Sequence, residues 1–129
     1  MIALIRYNYN QQLTPPAPFV HVTLKCVETG KQLPDLPAQL DTVADYTVVP
    51  AAIAEALQLV PMSEMPVSGF GGHIIYLFTY RLELSVRGFP VIVEEVISHP
   101  AEPFVLLGRN ILNRYRIVLD GPNLVLELT

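Results

Sequence analysis

The chain has 129 residues, enough for one domain with a sizeable core and too few for two. Charged residues make up 16% of it and apolar side chains 51%, an excess that points to a homodimer interface rather than to apolar surface left wet. A net charge of −4 with eight scattered Lys and Arg leaves no footprint for a nucleic-acid partner.

Ile2–Tyr7 is a short β-prone run and Asn8–Pro18 a polar, proline-rich tether, so residues 1–18 read as an N-terminal strand and tether to a single domain spanning 1–129. Met1 to Asn10 is too short and too quickly polar for a signal peptide, and no apolar run approaches the roughly 18 residues that cross a bilayer. A cytoplasmic protein without a membrane partner is the expectation. Phe19–Glu28 alternates as a strand and carries Cys26, the only cysteine. No intrachain disulfide can form, and the thiol reads as a strand residue rather than a nucleophile. Thr29-Gly30-Lys31 turns the chain into a second strand, Leu36–Leu40, which enters Asp41-Thr42-Val43-Ala44-Asp45 and then the β-branched series Thr47-Val48-Val49. Pro50 suits the first turn of a helix over Ala51–Leu59 that ends before Pro61.

From Pro66 to Arg87 the β pattern returns, broken by the glycine-rich tip around Gly69-Phe70-Gly71-Gly72. Alternation predicts one continuous apolar face of Tyr76, Phe78, Tyr80, Leu82, Leu84 and Val86, with Arg81, Glu83 and Ser85 opposite. Gly88-Phe89-Pro90 turns into a strand at Val91–Ile97, and a proline-flanked loop, Ser98–Pro103, leads to the strand Phe104–Leu107. A helical turn near Asn110–Arg114 follows, then strands at Arg116–Leu119 and Leu124–Leu128 around the turn Asp120-Gly121-Pro122-Asn123. Many short strands with two small helical pieces predict a mostly β, closed, mostly antiparallel barrel. His21, His73 and His99 lack metal-ligand spacing, and no nucleophile elbow, phosphate loop or paired-cysteine pattern is present. Neither a metal nor a cofactor is expected.

A carboxylate delivered by a strand end into a tight turn is a common place for chemistry, although an isolated Asp-Thr is more often a surface turn and a glycine-rich hairpin more often only a turn. Order and spacing change that balance. The strand into Asp41-Thr42-Val43-Ala44, the hairpin tip Gly69-Phe70-Gly71-Gly72 and the apolar pair Leu106-Leu107 followed by Gly108-Arg109-Asn110 together resemble the retropepsin-like aspartic proteases, over about residues 19 to 128. The resemblance implies a closed antiparallel β-barrel with one or two short helices and no cofactor. It also implies a homodimeric aspartic endopeptidase acting on a peptide or protein substrate with apolar side chains flanking the cut. Each chain would give one Asp41 to a dyad that shares a proton, one carboxylate acting as base toward water and the other as acid toward the carbonyl.

Residue by residue, Asp41 matches the catalytic acid and Thr42 the threonine that braces the two active turns. Val43 stands where the family has glycine. Ala44, Asp45, Tyr46 and Val48 fall at substrate-contacting positions, and Gly69, Phe70, Gly71 and Gly72 at the flap that closes over an extended peptide. Asp45 is also matched to an acid that pairs with an arginine, here Arg109, in a partly buried ion pair. Ile2–Tyr7 and Leu124–Leu128 are the candidate interface strands. Val43 keeps a backbone N–H for the carboxylate, but its branched side chain must be accommodated and disfavours positive φ. Three readings follow: a protease of reduced rate, an impaired or inactive dimer that binds peptides or serves as an interaction module, or an introduced change that silences the enzyme.

Overall fold

The computed structural model describes residues 4–69 and 71–129, so Met1–Ala3 and Phe70, one of the expected flap residues, lie outside the described residues. Ten strands and two short helices are present among them: β1 Ile5–Asn8, β2 Phe19–Cys26, β3 Gln32–Leu40, β4 Thr47–Pro50, α1 Ala51–Ala56, β5 Ser63–Ser68, β6 Ile74–Val86, β7 Ile92–His99, β8 Val105–Leu107, α2 Arg109–Leu112, β9 Ile117–Asp120 and β10 Val125–Leu128. Neither helix is long or apolar enough to cross a membrane.

Six strands close a barrel in the order β2-β3-β8-β4-β7-β6, with β6 pairing back to β2. It is mostly antiparallel, as the strand pattern predicts, with two parallel seams, β3–β8 and β4–β7. Their cause is local. The Asp41 turn between β3 and β4 is not a hairpin, so those strands separate and β8 inserts between them, parallel to one and antiparallel to the other.

The barrel is filled by the alternate residues of its longest strands. Val20, Val22 and Leu24 of β2 meet Leu82, Leu84 and Val86 of β6, all essentially inaccessible, with Leu57, Leu107 and Ile111 closing the core from the helices and β8. The predicted apolar face of β6 holds only from Tyr80 onward. Tyr76 and Phe78 are exposed, while Leu77 and Thr79 are buried. Pairing with β7 begins at Thr79, so residues 74–78 belong to a hairpin with β5 alone and point their even-numbered side chains outward.

β3 starts earlier than the sequence suggests and runs through Pro34 and Pro37. β8 covers only Ala38–Leu40, so the first half of β3 is an edge that tolerates residues without an N–H. A register shift opposite Val22 and Leu24 marks a bulge there, with Asp35 at φ 52. α1 stops at Ala56, closed by Gln58 in the left-handed region, and α2 begins at Arg109. Of the two candidate interface strands, β10 is flanked by β1 and β9 within the same molecule, with Leu126 and Leu128 sealing the barrel beneath, whereas β1 is an edge of that three-stranded sheet.

Candidate active site

The Asp41 turn is built between two strand ends and tied down by the start of α2. The Asp41 N–H donates to the Leu107 carbonyl at 3.0 Å, which continues the β3–β8 pairing one residue past the strand. Its carboxylate Oδ1 then accepts the Val43 N–H at 3.1 Å and the Ala44 N–H at 3.3 Å. An aspartate that accepts from backbone two and three residues on is self-organising, because its own side chain closes the turn.

Val43 fits this turn without a left-handed backbone. Positive φ among the described non-glycine residues occurs at Asp35, Gln58 and Leu124, and not at position 43. Its side chain projects outward, 85% exposed, into the cleft that Asp41 also lines. The branched residue therefore costs the turn little, and its bulk is presented to whatever occupies the space beside the carboxylate.

Gly108, Arg109 and Asn110 hold the far side. A Cβ on Gly108 would lie 2.4 Å from the carbonyl carbon of Tyr46, so only glycine lets β8 pass this close to the strand after the turn. The Arg109 N–H donates to the Ala44 carbonyl at 2.9 Å and its guanidinium to the carbonyls of Thr42 and Val43, each at 2.9 Å. Arg109 also pairs with Asp45, but on the open rim: Asp45 is 74% exposed in the single chain, so the pair is not partly buried as the resemblance implies and contributes little to stability. Asn110 does more. Its Oδ1 accepts from both the N–H and the hydroxyl of buried Thr47, at 3.0 and 2.9 Å, while its Nδ2 donates to the Glu95 carbonyl at 2.9 Å. The Thr47 hydroxyl oxygen in turn accepts the Gly108 N–H at 3.1 Å.

Above the turn lies a cleft of about 710 Å³, roofed by the β5–β6 hairpin. Asp41, Val43, Ala44, Asp45, Tyr46 and Val48 line its floor, and Gly69 its roof. Thr42, Gly71 and Gly72 are outside that lining. Thr42 is exposed, and Gly71 and Gly72, both at positive φ, form the bend of the hairpin. Sequence reasoning had Asn110 in a motif but gave it no bonding role, missed its partner Thr47, and missed the cleft residues Met65, Val67, Leu77, Ile97, His99 and Glu102. The asparagine after Gly108-Arg109 was a usable signal. Met65 and Leu77 had none, because only pairing decides which side of a hairpin faces inward.

The sequence matches no protein-family model and no curated protein. Solved structures do match. The EIAV protease, in complex with the inhibitor HBY-793, is 22% identical at a TM-score of 0.59, covering 84% of this chain and 93% of that one. A retropepsin-like aspartic protease from Rickettsia conorii is 12% identical at 0.67, covering 98% and 90%. The retroviral protease-like domain of Ddi1 from Leishmania major is 16% identical at 0.50, covering 82% of each chain. These likenesses establish the fold.

Proposed function

We propose that this chain, which has the fold of the retropepsin-like aspartic proteases, works as a homodimeric aspartic endopeptidase on extended peptide segments. The observation that carries the reading is the Asp41 carboxylate, held through Oδ1 by two backbone donors at the floor of a roofed cleft. One chain supplies one such acid, so the reaction needs a second copy about a two-fold axis. Two carboxylates in contact keep one proton between them. The ionised one takes a proton from water, which attacks the peptide carbonyl, and the protonated one gives its proton to the carbonyl oxygen. Collapse of the tetrahedral species then expels the amine, which takes up a proton. The β5–β6 hairpin would close over the peptide and exclude bulk water.

The outward side chain of Val43 favours a second reading, a dimer that binds peptides without cutting them, since two valines would stand beside the dyad. Cleavage of an unstructured protein at mildly acidic pH separates the two. The endopeptidase reading expects cleavage by the wild type and a loss of about 10³-fold in Asp41→Asn. An inactive wild type whose activity appears in Val43→Gly establishes the noncatalytic reading, and cleavage that survives Asp41→Asn sinks the first. Val43→Gly should shift stability by less than about 1 kcal/mol, because the side chain is exposed.

A further inference from the structure

The charges around the cleft are lopsided. Asp41, Asp45 and Glu102 line it, and no Lys or Arg stands among its described lining residues. Asp45 is offset by Arg109, and Asp41 is engaged by the backbone of its own turn. Among the described residues no cation pairs with Glu102.

Glu102 sits in the short loop after β7, whose last residue, His99, also lines the cleft. The His99 Nδ1 accepts the Ala101 N–H at 3.0 Å, which curls the loop that carries Glu102. Val48 and Ile97, register partners on β4 and β7, line the same cleft, and Leu77 lines it from the hairpin. The cleft thus offers aliphatic groups and a carboxylate together, and Lys and Arg match both: an apolar stem that packs and a charged head that pairs.

Taking the cleft as a peptide groove, we infer that Glu102 is a specificity-determining residue that selects substrates carrying a Lys or Arg side chain in the subsite between Ile97 and Glu102. The apolar residues at the cut remain. The basic residue occupies a separate subsite, and because a two-fold dimer presents that subsite twice, the preference must appear at symmetry-related positions on both sides of the scissile bond.

The test is calorimetric titration of the Asp41→Asn dimer, which binds without turning over, against peptides with an apolar centre and Lys or Glu scanned outward on one side or both. The expected result is about fivefold tighter binding for Lys over Leu at one position on each side, about 25-fold with both, no preference in Glu102→Gln, and a preference for Glu in Glu102→Lys. Equal binding of Lys and Glu peptides, a Lys preference that survives Glu102→Gln, or binding of no peptide overturns the inference. The same peptides given to the wild-type chain separate the two claims. Cleavage without charge preference sinks the role of Glu102 and leaves the endopeptidase standing, whereas charge-selective binding without cleavage does the reverse.

Discussion

β6 passes through two regions that could hardly be more different, one walled in on both sides and one paired on a single side. Its barrel half, around Leu82–Val86, has a neighbouring strand on each side over Leu82–Leu84 and seals Leu82, Leu84 and Val86 from solvent. Its hairpin half, Ile74–Phe78, is paired only with β5 and leaves Tyr76 67% exposed. Segments with few buried contacts open at lower free energy than a closed core, so the hairpin is expected to be the less stable of the two. The Asp41 turn belongs to the rigid region. Its atoms are held through Gly108, Thr47 and Asn110, each packed or bonded to the wall behind it.

The sharpest way to break that contrast is to truncate one residue in each half of the same strand. Leu84→Ala should cost about 3 kcal/mol in chemical denaturation, the usual penalty for a cavity in a closed core. Tyr76→Ala should cost less than about 0.5 kcal/mol, as a substitution on an exposed face does. Equal losses would mean that the hairpin is part of the core and not a separable roof.

Gly108→Ala attacks the rigid region where it is tightest. The added methyl would meet backbone rather than a flexible side chain, so β8 or the strand after the turn must shift, at a cost of about 2 kcal/mol. Peptide binding should fall along with stability, since Arg109 and Asn110 move with position 108. A loss of stability with binding intact would uncouple α2 from the Asp41 turn.

Thr47→Val is milder and more specific. It keeps the shape, removes the hydroxyl that donates to Asn110, and leaves the buried Gly108 N–H without its acceptor, which should cost about 1.5 kcal/mol. Thr47→Ser should recover most of this. If serine performs no better than valine, the methyl group rather than the hydroxyl is what position 47 contributes.

How much of this was legible follows from how local each feature is. The Asp41 turn and Gly108-Arg109-Asn110 are local motifs, and the structure brings the two together. The barrel class was legible from strand count and turn residues. The inward set of β6 was not, because alternation assumes one environment along a strand, and this one changes partners at Thr79. Nor was the exposure of Asp45 legible, which depends on where the rim lies, nor the pairing of β1 with β10 inside one chain, which alternation cannot distinguish from pairing between chains. His99 ends β7 and Glu102 falls in the loop after it, neither within a motif, and only the cleft above Ile97 gives them meaning.

The smallest expected effect concerns pH, at a point remote from the site. Arg87, just after β6, donates to the Asp35 carboxylate at 2.8 Å across to the bulge of β3. That hydrogen bond, and then the charge of the guanidinium, holds the Asp35 carboxyl below the usual carboxylate range. The unfolded chain therefore binds this proton at a higher pH than the folded one. The pair's contribution is fully present above the ordinary carboxylate value and fades as pH falls through it toward the lowered folded value. Both side chains are mostly exposed, so the contribution is small and screened by salt. Arg87→Met should open a slight gap in melting temperature at neutral pH that closes in acid and narrows in high salt. A gap that ignores both would assign Arg87's contribution to the packing of its stem. At the mildly acidic pH where a carboxylate dyad would work, the pair should still be largely intact, because its loss belongs to stronger acid.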